Sequence, residues 1–221
     1  MYNEQMIYHV YNQSINYETV FRTEANYHFF LQKVRTHLLP SAAILNYCLM
    51  PDHFHFLLKP TAFGCQPSPA GRFLANHEDG NEVKFQQNLS HAIKIMLSSY
   101  TRAVNKQYGR RGSLFRIRTK HKPGYTHFYP DATDLAEETP FTRFIPYLQV
   151  CFLYIHNNPV KAGLTSHPLE WSWSSALDYA GWRDGGICDY TLTRRLLGIE
   201  RDADKQQPGI VTPRLATLPL Q

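Results

Sequence analysis

A pair of short strand-forming segments around a proline turn limits the fold of this chain more than any other feature. Residues 43–48 and 54–58 have the residue types and the length of β-strands. Met50-Pro51-Asp52 lies between them and has the composition of a tight turn. The sequence therefore predicts that the two segments pair as an antiparallel β-hairpin.

The other predicted elements are strands and helices that alternate along the chain. In chain order, hydrophobic spacing predicts a strand at 7–12, helices at 18–38, 85–108 and 146–156, and a strand with a basic face at 113–119. Asn158-Pro159 is expected to end or sharply bend the last helix. Segments 61–81 and 123–143 have the composition of surface loops. This order predicts an α+β fold, in which helices pack on a ferredoxin-like antiparallel sheet.

The composition indicates a globular protein of the cytoplasm. Apolar residues make up 43% of the chain, which is enough for a hydrophobic core. No apolar run approaches the roughly 18 residues of a membrane span, and the first residues lack the pattern of a secretory signal. The four cysteines are far apart in the sequence, so we expect free thiols and neither a cysteine zinc site nor a disulfide scaffold.

Positive charge is concentrated in one part of the chain. The net charge is +5, yet residues 83–130 hold ten lysines and arginines and no acidic residue. The rest of the sequence is therefore net negative. Such a segment is typical of a protein that binds a polyanion such as a nucleic acid, although a solvated basic helix face has the same composition.

Two spacings suggest a reactive centre. His53 and His55 are two apart on a predicted strand, so both imidazoles share one face and could bind one divalent cation. Tyr154 and Asn158 are four apart on a predicted helix, so a phenol and an amide oxygen are presented together. The amide could complete the metal site, and the phenol could attack a phosphate. Surface histidines, a core tyrosine and a helix-ending asparagine would give the same patterns.

Three stretches resemble the HUH-type single-tyrosine transposases, and specifically the REP-associated tyrosine transposases. They are YCLMPDHFHFLL at 47–58, YIHNNPVKAGL at 154–164 and WSWSS at 171–175, with weaker matches at 8–10 and 108–115. The resemblance spans about residues 6–182. It implies a transposase domain with the HUH endonuclease fold at 1–182, with loop insertions near 61–81 and 123–143. A partly flexible C-terminal extension would follow at 183–221.

The resemblance also implies a reaction and its residues. His53, His55 and Asn158 would bind Mg²⁺ or Mn²⁺, and Tyr154 would be the nucleophile. The enzyme would cut single-stranded DNA near a hairpin, form a 5′-phosphotyrosine ester, and release a 3′-hydroxyl. A second 3′-hydroxyl would then reverse the step. The basic side chains expected to bind DNA are Arg102, Lys106, Arg110, Arg111, Arg116, Arg118 and Lys120.

Several alternatives stay open at this point. Tyr147 precedes Tyr154 by seven residues on nearly the same helix face and is the second candidate nucleophile, ahead of Tyr100 and Tyr108. Tyr108 and Phe115 are candidates for stacking on unpaired bases, with core packing as the alternative. Two other functions fit the motifs: a metal-dependent nuclease without a covalent step, and a domesticated protein that only binds DNA hairpins. Both a monomer and a homodimer are consistent with the sequence.

Overall fold

The computed structural model describes residues 1–77, 80–123 and 144–206, and it shows an α+β fold. The main strands and helices are β1 (Tyr8–Gln13), α1 (Glu24–Lys33), β2 (Ala42–Leu49), β3 (His53–Pro60), α2 (Ala62–Cys65), β4 (Pro67–His77), β5 (Gly80–Gln87), α3 (Asn88–Tyr108), β6 (Lys120–Pro123), α4 (Phe144–Lys161), α5 (Ala176–Tyr179) and α6 (Tyr190–Leu197). None of the described helices is long and apolar enough to cross a membrane. All four cysteines have free thiols.

The central sheet has the predicted ferredoxin-like topology. Its four strands are antiparallel and lie in the order β2-β3-β1-β6. The first strand is followed by α1, then by the β2–β3 hairpin, and α3 leads to the last strand. The predicted hairpin is confirmed, and its turn is closed because the Met50 amide donates to the His53 carbonyl at 2.8 Å.

Helices cover both faces of the sheet because strand side chains alternate between its two sides. On one face, Phe54 of β3 packs with Phe30 of α1 and Tyr100 of α3, all fully buried. On the other face, Leu57 of β3 belongs to a cluster with Ile155 of α4. The histidines of β3 lie on this second face, since they alternate with Phe54. The α4 side is therefore where the motif residues of the sequence meet.

The first helix is shorter than predicted, since it begins at Glu24 and not at residue 18. The amides of Val20 and Phe21 both donate to the Pro51 carbonyl, at 2.7 and 3.1 Å. These residues are therefore bound to the turn of the hairpin, and their amides cannot take part in helical hydrogen bonds. The helix continues from α1 through a π-helical turn to Leu38, where the predicted end is confirmed.

The predicted loop at 61–81 is wrong. This segment contains α2 and most of a two-stranded antiparallel ribbon formed by β4 and β5. Its glycines and prolines led to the loop prediction, but Pro67 is the first residue of its strand, where proline is tolerated. Because β5 extends to Gln87, α3 begins at Asn88, three residues after the predicted start at Phe85. Its predicted end is confirmed, since Gly109 follows with a left-handed backbone, φ 62°.

The predicted strand at 113–119 is also wrong, since the fourth strand lies at Lys120–Pro123. Between Ser113 and Thr119, the facing segment forms only an isolated bridge, from Phe115 to Ser14. The side-chain Nδ2 of Asn12 donates to the Arg116 carbonyl at 3.1 Å and to Thr119 Oγ1 at 3.0 Å. Side-chain hydrogen bonds from β1 therefore replace part of the backbone ladder along this segment.

The helix α4 runs through Asn158-Pro159 to Lys161, so the predicted helix end there is wrong. Pro159 has no amide proton, which leaves the Ile155 carbonyl without its helical donor. Asn158 Nδ2 lies 3.4 Å from this carbonyl and 3.0 Å from the carbonyl of Tyr154. The asparagine side chain therefore supplies a donor where the proline removes one, and the helix continues.

Residues beyond 182 pack on the sheet and on α4. Leu197 of α6 is fully buried in the α4 cluster. The Arg183 guanidinium forms a 2.7 Å ion pair with the buried Asp178. Trp173, from the WSWSS stretch, stacks on Tyr27 with ring centroids 4.3 Å apart.

Residues 124–143 of the second predicted loop, and 207–221 of the predicted extension, lie outside the described residues.

Candidate active site

The two motif histidines lie side by side, as the strand spacing predicts. His53 and His55 are on the same face of β3, with ring centroids 5.0 Å apart. Tyr11 of β1 is paired with His55 across the sheet, and Gln13 is paired with His53. This part of the face is therefore polar, between the apolar cluster under α4 and the end of the sheet.

Each histidine has one ring nitrogen committed to a neighbouring side chain. His53 Nδ1 lies 2.5 Å from Asp52 Oδ1, and His55 Nδ1 lies 2.8 Å from His9 Nε2. Gln13 Nε2 donates to the second oxygen of Asp52 at 2.9 Å, which fixes the carboxylate. Since both Nδ1 atoms are engaged, Nε2 is the remaining ligand atom of His53 and of His55.

Burial holds two of these imidazoles in the neutral form. Desolvation, followed by the charge of Lys122, lowers the pKa of His9 to about 4. Desolvation also lowers the pKa of His55 well below its usual value, and the nearby His9 and His53 act in the same direction. A neutral imidazole is the form that can give a lone pair to a metal ion. His55 is therefore in the protonation state that a metal ligand requires, and metal binding by the pair stays a prediction.

Tyr154 reaches the histidines from α4, which crosses this face of the sheet. Its ring centroid lies 6.0 Å from that of His55 and 6.2 Å from that of His9, in edge-on geometry. Desolvation, and then Cys151 and Tyr11, raise the pKa of the phenol. The hydroxyl is therefore protonated at neutral pH, and its use as a nucleophile requires that its proton be removed.

A cavity of about 230 Å³ joins the residues of both motifs. It is lined by Tyr11, Asn12, Gln13, His53, His55, Arg116, Arg118, Lys120 and Tyr154. The structure thus brings together the predicted nucleophile, two of the three predicted metal ligands and three of the basic residues predicted to bind DNA. An anion in this cavity would face positive charge on one side and imidazoles on the other.

The cationic wall of the cavity lies on a bulge. Tyr11 pairs with Lys120, and Ser14 forms an isolated bridge with Phe115. Tyr11 of β1 and Ser14 are three residues apart, whereas their partners Lys120 and Phe115 are five residues apart. The facing segment therefore has two more residues than β1 over this stretch, and it bulges out. Arg116 and Arg118 lie on this bulge and are exposed. Bulges often redirect side chains next to active sites, and this one presents two guanidinium groups to the cavity.

The third predicted metal ligand lies apart from the cavity lining. Asn158 follows Tyr154 by one turn of α4, is 8% exposed, and is not among the residues that line the cavity in the described part of the chain. Its amide nitrogen donates to the Tyr154 carbonyl at 3.0 Å, so its orientation is fixed. The role of Asn158 as a ligand stays a prediction.

The other predicted DNA contacts lie on α3 and directly after its end. Arg102 lines a second, larger cavity of about 780 Å³ between α3 and residues 112–119, and Arg116 lines both cavities. Lys106 and Arg111 are exposed. Arg110 forms a 2.7 Å ion pair with Glu18, so its charge is already matched.

The structure separates the candidate tyrosines. Tyr147 is 6% exposed and packs in the apolar cluster under α4, outside the cavity lining. Tyr100 is fully buried, and its hydroxyl donates to the Val20 carbonyl at 3.0 Å. Tyr108 donates to Asn26 Oδ1 at 3.0 Å. Of these tyrosines, only Tyr154 reaches the cavity.

Comparison with known proteins adds evidence on the fold. No protein-family model matches this sequence, and no curated protein matches it. The structure matches that of a REP-associated tyrosine transposase bound to a REP hairpin, with a TM-score of 0.50 and 13% sequence identity. The match covers 84% of this chain and 86% of that chain. The two proteins share a fold. The shared fold agrees with the resemblance carried by the sequence motifs.

Six residues at the site were not identified from the sequence: His9, Tyr11, Asn12, Gln13, Asp52 and Lys161. His9 and Tyr11 have the same two-residue spacing on β1 as the histidine pair on β3, and that spacing was the available signal. Asp52 was assigned only to the turn. Lys161 Nζ lies 4.7 Å from the centroid of the Tyr154 ring and was not singled out. Their roles depend on the register between strands and on the length of α4.

Proposed function

We propose that this protein cuts and rejoins single-stranded DNA at hairpin-associated sites through a covalent phosphotyrosine intermediate. One observation carries the proposal: Tyr154, His53 and His55 line a single cavity with three cationic side chains. A nucleophile, a candidate metal site and a phosphate-binding wall are thus within one small volume. The structural match to a transposase bound to a REP hairpin supports the same class of substrate.

The donor set fits a divalent cation. His53 and His55 offer two Nε2 atoms, and burial keeps His55 neutral without a bound ion. Asn158 would add an amide oxygen, which gives the mixed nitrogen and oxygen donors accepted by Mn²⁺ and, less readily, by Mg²⁺. Within the described residues, no group of three or more His, Cys, Asp and Glu side chains is placed to hold an ion. Solvent or the substrate phosphate would therefore supply the remaining ligands.

The residues around Tyr154 suit an in-line attack on phosphorus. The phenol would lose its proton to solvent, and its oxygen would form a bond to phosphorus as the bond from phosphorus to the 3′-oxygen breaks. The 3′-oxygen would take up a proton from solvent to become a hydroxyl. Lys161 lies beside the Tyr154 ring and would stabilise negative charge that develops on the phenol. Arg116 and Arg118 would hold the scissile phosphate. A bound cation would polarise that phosphate.

The substrate strand would follow the basic surface away from the cavity. The larger cavity between α3 and residues 112–119 shares Arg116 with the smaller one and also contains Arg102 and Lys94. Both arginines are exposed, so they can contact phosphates without first breaking a buried interaction. We therefore propose that DNA backbone occupies this groove next to the scissile phosphate.

A covalent-adduct assay tests the proposed function. The purified protein is incubated with single-stranded DNA that carries the hairpin repeats around its own gene, labelled on the 3′ side of the expected cut. We expect a protease-sensitive band of protein joined to labelled DNA, which requires Mn²⁺ or Mg²⁺. The band is expected to disappear with a chelator and in His53→Ala or His55→Ala. Cleavage without any adduct would instead establish a metal-dependent nuclease, and tight binding without cleavage would indicate a hairpin-binding protein.

The Asp52→Asn variant is expected to bind Mn²⁺ about 10- to 100-fold more weakly, because Asp52 orients the His53 ring. Burial alone would raise the pKa of Asp52, but hydrogen bonds from Gln13 and His53 bring it below its usual value, so the carboxylate is charged. The melting temperature is measured at increasing Mn²⁺ concentration. The midpoint is the Mn²⁺ concentration that gives half of the maximum rise in melting temperature. Asp204→Asn, on the exposed surface, is the matched control. An unchanged midpoint in Asp52→Asn would show that this carboxylate does not position the ligand.

A further inference from the structure

Tyr17 is an exposed aromatic side chain on a turn of unusual backbone conformation. It is 70% exposed and lies in the short helical turn Ile15–Tyr17 that follows β1. Asn16 and Tyr17 both have φ of 57°, and they are the only non-glycine residues with positive φ in the described chain. For tyrosine this left-handed conformation is unfavourable, so the surrounding structure must hold it.

Hydrogen bonds and an ion pair hold this turn against the bulge that carries the cavity arginines. The Ile15 amide donates to the Leu114 carbonyl at 2.9 Å, and the Glu18 amide closes the turn by donating to the Ile15 carbonyl at 3.3 Å. The Glu18 carboxylate forms a 2.7 Å ion pair with Arg110, so its negative charge is compensated. The turn therefore keeps Tyr17 at the surface and next to the basic segment.

Arg116 connects Tyr17 to the candidate active site. Its guanidinium lies 5.4 Å from the centroid of the Tyr17 ring. The same side chain lines the cavity that contains Tyr154 and the larger groove along α3. A strand that passes from the groove into the cavity would therefore pass beside the Tyr17 ring. The neighbouring Ile117 is 97% exposed, which extends the apolar surface at this point.

We propose that the Tyr17 ring, with Arg116 beside it, stacks on one unpaired base of the DNA strand that enters the Tyr154 cavity. The inference rests on the proposed DNA function and adds a specific contact to it. An exposed aromatic ring next to a guanidinium that can hold a phosphate is the combination by which proteins bind single strands. The sequence had pointed to Phe115 and Tyr108 for this role, but Phe115 is 5% exposed in the core and Tyr108 is only partly exposed, with Arg22 over its ring.

Glycine and phenylalanine variants of Tyr17 distinguish the contribution of its ring to DNA binding from that of the backbone turn. Tyr17→Gly removes the ring but accepts the left-handed backbone, so the fold is retained. Tyr17→Phe keeps the stacking surface. Trp182→Ala is the matched control, because Trp182 is 71% exposed and is not among the residues lining either cavity. Thermal unfolding of each variant confirms that the chain is folded before DNA is added.

The experiment uses hairpin DNA with single-stranded flanks, in which 2-aminopurine replaces each unpaired base in turn. Binding of the unaltered protein is expected to change the fluorescence at one position, and Tyr17→Gly is expected to remove that change. Its affinity for the flanked hairpin should fall about fivefold to a hundredfold, the range found when a stacking aromatic is removed. Tyr17→Phe and Trp182→Ala should bind like the unaltered protein. Binding to a blunt duplex should be the same for all variants.

The outcomes distinguish this inference from the proposed function. If the unaltered protein forms the covalent adduct while Tyr17→Gly binds flanked DNA with unchanged affinity and fluorescence, stacking on Tyr17 is overturned and the DNA-cutting function stands. If Tyr17→Gly loses affinity and the fluorescence change, but the unaltered protein forms no adduct, the stacking site stands and the covalent reaction is overturned. Absence of any DNA binding by the unaltered protein would overturn both.

Discussion

Tyr154→Phe is expected to form no covalent adduct with hairpin DNA, a loss on the order of a thousandfold or more in the rate of strand cleavage. The variant removes only the oxygen that would bond to phosphorus and keeps the ring that contacts His55 and Lys161. The cavity, the imidazoles and the cationic wall are unchanged, so DNA affinity should remain close to that of the unaltered protein. The measurement is single-turnover adduct formation with metal in excess, together with DNA binding by anisotropy.

Tyr147→Phe is the matched control for this prediction. Tyr147 lies on the same helix, two turns earlier, and is buried in the apolar cluster outside the cavity lining. Its variant is expected to form the adduct at the normal rate. Loss of the adduct in Tyr147→Phe, with Tyr154→Phe active, would exchange the roles of the two tyrosines. Cleavage that persists in Tyr154→Phe without an adduct would replace the covalent mechanism by attack of water.

Acid is expected to destabilise the metal-free protein, and His156 of α4 should contribute to this effect. Its ring is buried and shares a 2.8 Å hydrogen bond with Ser175 Oγ, and burial lowers its pKa from 6.5 to about 3. Between these values the unfolded chain binds a proton that the folded chain does not. Stability is therefore full above pH 6.5 and falls as the pH decreases towards 3, by about 1.4 kcal/mol per pH unit for this group.

The pH effect can be isolated with two variants in urea unfolding experiments near pH 7.5 and near pH 5, with a chelator present. The unaltered protein should lose stability between the two conditions, and His156→Gln should lose about 2 kcal/mol less. His28→Gln, at an exposed position, should behave like the unaltered protein. The same loss in His156→Gln as in the unaltered protein would show that His156 does not carry the proton uptake. His9 and His55 act in the same direction, so part of the acid sensitivity should remain.

Local sequence patterns were sufficient for most of the secondary structure and for the centre of the candidate site. Side chains two residues apart in a strand share one face, which predicted that His53 and His55 lie together, and the structure confirms that they are adjacent. The Pro51 turn predicted the hairpin, and Gly109 predicted the end of α3. These features depend on residues that are near one another in the chain, so their physical cause is contained in a few neighbouring residues.

The wrong predictions share a different cause. Alternation of basic and apolar residues at 113–119 predicted a strand, but hydrogen bonds from the side chain of Asn12 hold this segment as a bulge. Pro159 predicted the end of a helix, but the side chain of Asn158 compensates for the missing amide. The composition of 61–81 predicted a loop, although its backbone pairs as a ribbon. In each case a hydrogen bond decided the conformation, and neither propensity nor composition contains that contact.

The sequence by itself determined which chemical groups this protein carries and which of them share a strand or a helix. It determined the pair of imidazoles on β3, the phenol on α4 and the basic segment between them. The tertiary structure alone decided that His9 bonds to His55 across 46 residues, that Tyr154 and not Tyr147 reaches the cavity, and that Arg116 stands between the cavity and Tyr17. These contacts depend on strand register and on how α4 packs on the sheet, and both are set by burial over the whole core.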